Sequence, residues 1–301
     1  MLANLPKTGT SCIVGTDSEL GVTWHKWWGA AQWAAYLEHM ELPVKATSKQ
    51  ALADLVATRG DWLAPLDLAN LMLDDPLFAL RLLKDANQHL PRHMARDITT
   101  PLGVVLALGT TRYSEQIDQA PVIGADNLGF FACEARYTQA ARIAQALGNF
   151  HHDTDPAELA LATLLANAGE IELWAFAPEL PQAALDVQRN GGMKRNEDAE
   201  IKACGFAFKD LTLLMCEHWQ LPPLILQLIR GDQTIRAKLA LLAVDMSRHL
   251  ANGNDDQALA DDLEDAAQLT GATLTQLLGS LPGYEGFTPP TSSNVTEPPA
   301  S

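Results

Sequence analysis

Leucine and alanine recur at helical spacing along almost the whole chain, and no run of Val or Ile alternates or clusters as a strand requires. An apolar period near 3.6 residues commits each segment to a helix that buries one stripe, so the chain is expected to be all-α. The punctuation agrees with that period. Thr23 can cap a helix running through Trp24 to about Met40, and Pro43 ends it or forces a turn. Asp155 and Glu158 have the spacing of a capping box, with Pro156 at the first helical position, Leu159, Leu161, Leu164 and Leu165 as the buried face, and Gly169 as a stop. Phe206 to Trp219 makes an apolar helix closed by Pro222 and Pro223, and a short helix then ends near Gly231. Ile235 to Leu250 follows as a long helix. After the break at Asn252, Gly253 and Asn254, an acidic segment from about Asp255 to Leu281 makes one more helix or a pair.

With 301 residues the chain can bury an ample core without disulfides. Three regions are expected: an N-terminal extension with a Trp-rich helix (1–40), a multi-helix bundle in two packed parts (41–125 and 126–281), and a Pro-, Gly-, Ser- and Thr-rich tail (282–301) with no periodic face, read as disordered.

The balance of 21 Lys and Arg against 37 Asp and Glu gives a net charge of −16. Phosphate backbones and anionic lipid surfaces are bound by Lys and Arg, so neither nucleic acid nor membrane is the expected partner. Cys12, Cys133, Cys204 and Cys216 show no metal or redox spacing and read as reduced thiols. No apolar run has the length of a signal peptide or a membrane span, and the expected compartment is the cytoplasm. Neither GxSxG nor a phosphate-cradling glycine loop occurs, so no cofactor is expected.

Several segments in fixed order carry a resemblance. They are LDLANLMLDDPLFALRLLKDANQHL, TTPLGVVLAL, FFACEARYTQAARIAQALG, LLANAGEIELW, GFAFKDLTLLMCEHWQLPPLILQLIR and LALLAVDMSRHLANG, spanning roughly Glu41 to Asn252. This pattern resembles the HDOD domain, a degenerate relative of the HD phosphohydrolases found in bacterial signalling proteins. The resemblance implies an all-α fold and a signalling or scaffolding role in contact with protein partners. It also locates the family's metal positions. The early histidine is Tyr137 here, the His-Asp pair is Ala166 and Asn167, and a later position that often reads His-His is Asp232 and Gln233. Phe208 stands where the family can carry a histidine, and only the late aspartate is kept, as Asp245.

One carboxylate and one amide do not hold a catalytic metal, because no imidazole remains in the set. The expectation is therefore a pseudoenzyme with no metal, whose vestigial pocket of Tyr137, Ala166, Asn167, Phe208, Asp232 and Asp245 is either open to a ligand or filled by side chains. In the filled case a buried Asp245 takes Tyr137 or Asn167 as its hydrogen-bond partner. Two rival readings are a phosphohydrolase that recruits His151 or His152 toward Asp245, and a binding protein for a small signalling ligand. His151, His152 and Asp153 precede a helix cap and read as a solvated loop. Paired carboxylates such as Asp74 and Asp75 read as surface charge or helix N-terminal residues.

Four of the seven tryptophans, Trp24, Trp27, Trp28 and Trp33, lie within ten residues. A helix with apolar groups on more than one side buries both, on its own fold or against a partner. Packing on the chain's own body is the ordinary fate, and these tryptophans are the candidate partner surface.

Overall fold

A computed structural model describes residues 28–89, 98–191, 195–253, 257–284 and 287. Among them are fifteen α-helices and no strand. In chain order these are α1 (Ala30–Leu37), α2 (Ala46–Arg59), α3 (Pro65–Leu73), α4 (Pro76–His89), α5 (Pro101–Gln119), α6 (Leu128–Gly148), α7 (Pro156–Leu165), α8 (Ala168–Phe176) and α9 (Glu179–Gly191). Then follow α10 (Asn196–Cys204), α11 (Phe208–His218), α12 (Pro223–Arg230), α13 (Ile235–Asn252), α14 (Gln257–Thr270) and α15 (Leu274–Ser280). An isolated bridge between Val44 and Val122 ties the entry of α2 to the exit of α5.

One hydrophobic core runs through the molecule. α6 lies at its centre, packed on α7 and α13, while α3 and α4 pack on α5, and α8 packs on α11. The helix starts follow the sequence closely. Thr100, Asn127, Asp155, Thr234 and Thr273 each cap a helix through the side-chain oxygen. Asp155 Oδ1 accepts from the N–H groups of Ala157 and Glu158. The reciprocal half of the capping box is not made, because the Glu158 carboxylate reaches Arg236 of α13 at 3.0 Å.

Four local readings are corrected. Gly169 does not stop a helix: α7 ends at Leu165, and Gly169 lies in the first turn of α8. Its N–H donates to Thr212 Oγ1 at 3.0 Å, and a Cβ there would stand 2.8 Å from the Phe208 carbonyl oxygen, so glycine is needed for close approach of α8 and α11. Asp75 is not surface charge. It is fully buried, with Oδ2 accepting from Lys45 N–H and Ser48 Oγ and Oδ1 accepting from Phe78 N–H, which fastens α2 to α4. The start of the tail is packed, since Tyr284 is 1% exposed and Pro282 O accepts from Gln139 Nε2. Residues 288–301 lie outside the described residues.

The tryptophan surface is the fourth. Trp33 is 1% exposed and belongs to the core with Ala34 and Leu37, so at this position the side chain is spent on the chain's own body. α1 packs against α11, and Trp28 is half-buried against the rings of Trp33 and Tyr36. Trp24 and Trp27 lie outside the described residues, and the described helix begins only at Ala30.

Candidate functional site

A face of α6 presents Arg136, Tyr137 and Ala140, which are neighbours at helical spacing. The short break between α7 and α8 sets Asn167 and, one turn on, Glu170 opposite them. α10 adds Asn196, Glu197 and Glu200, the start of α11 adds Phe208 and Lys209, and α13 adds Val244, Ser247 and Arg248. Together they enclose a cavity of about 220 Å³.

The structure thus brings Tyr137, Asn167 and Phe208 to one place and leaves the other expected members out. Ala166 ends α7 and packs against the core. Asp232 follows the left-handed Gly231 in the turn before α13, away from the cavity wall. Asp245 is the larger correction. At about 100° per residue, Val244, Ser247 and Arg248 share a face of α13 and Asp245 does not. Its carboxylate is 51% exposed and pairs with Arg248 at 2.9 Å, so neither Tyr137 nor Asn167 is its partner.

Inside the cavity the polar groups are matched with one another. Tyr137 Oη donates a short hydrogen bond to Glu170 Oε2, and Arg136 Nη2 donates to Glu170 Oε1 at 3.2 Å. Burial, then the Glu170 charge, raises the Tyr137 pKa well above its ordinary value, so the phenol stays a proton donor. Lys209 pairs with Glu197 at 2.7 Å, and Ser247 Oγ donates to the Arg136 carbonyl at 2.7 Å.

Glu200 is the exception. Its Oε2 accepts from the Phe208 N–H at 2.8 Å, which caps the start of α11 from outside that helix. Burial pushes its pKa up to about 7 against the pull of this hydrogen bond, and the Glu170 and Glu197 charges add to the rise.

The metal of HD proteins calls for imidazole and carboxylate donors. This cavity offers a phenol, amides, a hydroxyl and three carboxylates, two of which are already paired with Arg136 and Lys209. The set does not fit such a metal. Among the described residues no group of three or more His, Cys, Asp or Glu is placed to hold a metal ion. His151 and His152 stand in the α6–α7 loop outside the cavity, where His151 Nδ1 accepts from the Asp153 N–H at 3.2 Å.

Sequence reasoning missed Arg136, Glu170 and Glu200. Arg136 is the immediate neighbour of Tyr137, and Glu170 lies one helical turn beyond Asn167, so spacing from the substituted positions would have found both. Glu200 arrives from a helix with no motif, and no local signal marks it.

Comparison with known proteins fits this architecture. The MmoQ response regulator of Methylococcus capsulatus str. Bath is 18% identical, with a TM-score of 0.63 over 80% of this chain and 98% of that one. A virulence factor of Campylobacter jejuni subsp. jejuni is 17% identical, with a TM-score of 0.64 over 85% of this chain and 95% of that one. At this identity the likeness is one of fold. No curated protein matches the chain. The model of the HDOD domain matches residues 57–235, more than half of the sequence, and the chain belongs to the HDOD domain family.

Proposed function

We propose that this protein is a signal-transduction module of the HDOD type that acts by contact with protein partners and not by metal-dependent phosphoester hydrolysis. The observation that carries the reading is the internal pairing of the degenerate pocket. Glu170, the carboxylate that meets Tyr137 at the former early-histidine position, is engaged on one oxygen by Tyr137 and on the other by Arg136. A metal entering there would have to break both contacts and would find no imidazole in exchange. The solved MmoQ protein, similar in fold, is described as a response regulator, which supports a place in signalling.

The test is metal analysis of the purified full chain together with hydrolysis of a chromogenic phosphodiester in the presence of Mg²⁺, Mn²⁺ or Zn²⁺. We expect substoichiometric metal and turnover no faster than for the chain with Glu170→Gln. A stoichiometric divalent ion with turnover abolished by Glu170→Gln would overturn the proposal.

A further inference from the structure

A second cavity, of about 430 Å³, lies where the end of α1, the face of α4 and the turn after α11 meet. This volume falls within the range of about 300–1,000 Å³ found for small-molecule sites. Its wall includes Lys84, Asn87, His39, His218, Trp219 and Gln220.

Three independent observations mark it as a built site. The first is a pair of unused polar atoms. Asn87 is 9% exposed, and its Nδ2 donates to the carbonyls of Trp219 and Gln220 at 2.7 and 3.0 Å, yet its Oδ1 has no partner among the described residues. Trp219 is 5% exposed, and its Nε1–H is also without one. A buried acceptor and a buried donor left unmade each cost about 1–3 kcal/mol, and neither is imposed by a helix end.

The second is a backbone choice. α12 ends on Gly231 at φ 70°, with the Asp232 N–H reaching back to the Gln227 carbonyl. α11 ends the same way, with the Leu221 N–H on the Cys216 carbonyl, but the left-handed residue is Gln220 at φ 52°. Glycine adopts this conformation without a Cβ penalty, so a glutamine there is held against local preference, and the residue borders the cavity.

The third is charge. In a chain of net charge −16 the wall carries one ammonium, Lys84, and two imidazoles, His39 and His218, beside the single carboxylate of Glu38, which stands 3.5 Å from His218 Nδ1. The Lys84 ammonium lies 4.6 Å from the centroid of the Trp219 ring and donates to the Glu38 carbonyl at 2.6 Å. Behind it, Glu172 is 0% exposed with neither carboxylate oxygen hydrogen-bonded, and burial pushes its pKa well above the ordinary carboxylate range. Burial also lowers the Lys84 pKa, against the pull of the Glu172 and Glu38 charges.

We propose that this cavity binds a small ligand of the nucleotide class, a planar heterocycle carrying a phosphate. The base edge, with an N–H donor beside an acceptor, meets Asn87 Oδ1 and Trp219 Nε1, and the phosphate meets Lys84, His39 and His218. Both reading atoms are screened from water in the structure. The base edge reaches them as the flexible Lys84 stem swings off the indole and the ammonium follows the phosphate. The inference stands apart from the degenerate pocket and does not rest on the function proposed above.

The test is calorimetric titration of the full chain with AMP, GMP, the matching nucleosides and inorganic phosphate. A mononucleotide is expected to saturate, with nucleoside and phosphate each at least about tenfold weaker, the factor equivalent to about 1.4 kcal/mol. Trp219→Phe keeps an aromatic ring but removes the N–H together with the rest of the five-membered ring, and should weaken binding by about tenfold or more. Lys84→Met, at a partly exposed side chain, should do likewise and serves if the tryptophan variant fails to fold. Saturation by phosphate alone with equal affinity, binding that survives both substitutions, or no saturation by any probe at millimolar concentration would each overturn the proposal.

Discussion

The two cavities of this molecule satisfy their polar groups in opposite ways. In the smaller one, between α6, α8, α10, α11 and α13, the phenol, guanidinium and carboxylates are matched with one another. In the larger, between α1, α4 and the end of α11, an amide oxygen and an indole N–H are buried without partners among the described residues, and a glutamine is held left-handed. Buried polar atoms are ordinarily paired, so the first arrangement is what a site becomes once its ligand is gone. The second is what a site looks like while a ligand is still awaited. The contrast suggests that the ancestral pocket now serves the fold while recognition lies elsewhere.

Crowding the contact between α8 and α11, beside the smaller pocket, gives the largest expected effect. Gly169→Val places a Cβ 2.8 Å from the Phe208 carbonyl and 3.0 Å from the Thr212 backbone nitrogen, and backbone on both sides leaves little room to yield. Overpacking of this kind should cost about 3 kcal/mol in chemical denaturation, with α8 and α11 forced apart. If the variant is as stable as the parent, the contact between α8 and α11 is not the tight joint described.

Tyr137→Phe comes next. It removes the donor to Glu170 Oε2 and keeps the ring, leaving Arg136 to serve the carboxylate alone. A loss of about 1–2 kcal/mol is expected by urea titration, as for a carboxylate hydrogen bond in a part-buried site. A gain in stability would mean that the phenol and carboxylate are not paired in solution.

How far these pockets could be read from the sequence depended on the range of the interaction. The all-α architecture, the cap at Asp155 and the convergence of Tyr137, Asn167 and Phe208 were legible, because each rests on local spacing or on segments in a fixed order. Asp245 was misplaced because one residue of register on a helix turns a side chain by about 100°, and nothing in the sequence sets that angle. Asp75 does cap a helix start, through the Phe78 N–H, but its burial, like the role of Gly169, was missed because it rests on contacts between distant segments, with Lys45 and Ser48 for one and Thr212 for the other. The larger cavity left almost no trace. Asn87 and Trp219 meet across more than a hundred residues, and a helix-terminal glutamine carries no mark of its left-handed backbone.

A smaller effect tests the one group of the closed pocket that is not matched by a cation. The folded-state pKa of Glu200, about 7, lies above the value of about 4.3 for an unfolded glutamate. Below the unfolded value both states are protonated and the group contributes no pH dependence. As pH rises from there through about 7, the unfolded chain ionises first, so the wild type loses stability over this window and then levels off. Glu200→Gln should remove that slope and be the more stable form at pH 8, by on the order of 1 kcal/mol once solvent screening is allowed for. Parallel stability profiles from pH 4 to 8 for the two proteins would show that Glu200 titrates normally, and would weaken the picture of a dry, closed pocket.

The smallest effect separates the two cavities most directly. A glycine at the left-handed end of α11 would reproduce the cap that Gly231 already gives α12, without the Cβ that Gln220 must accommodate at φ 52°. Glycine also gains more freedom in the unfolded chain, which offsets part of the relief, so Gln220→Gly should raise stability by only about 0.5 kcal/mol in thermal and urea unfolding. The same substitution removes the side chain of a residue that borders the larger cavity and loosens the backbone there, and should weaken mononucleotide binding in calorimetry. Gain in stability with loss of binding is the signature of strain kept for function. A substitution that destabilises the chain would show that the glutamine side chain is part of the packing, and the contrast between a paired pocket and a waiting one would then lose its backbone evidence.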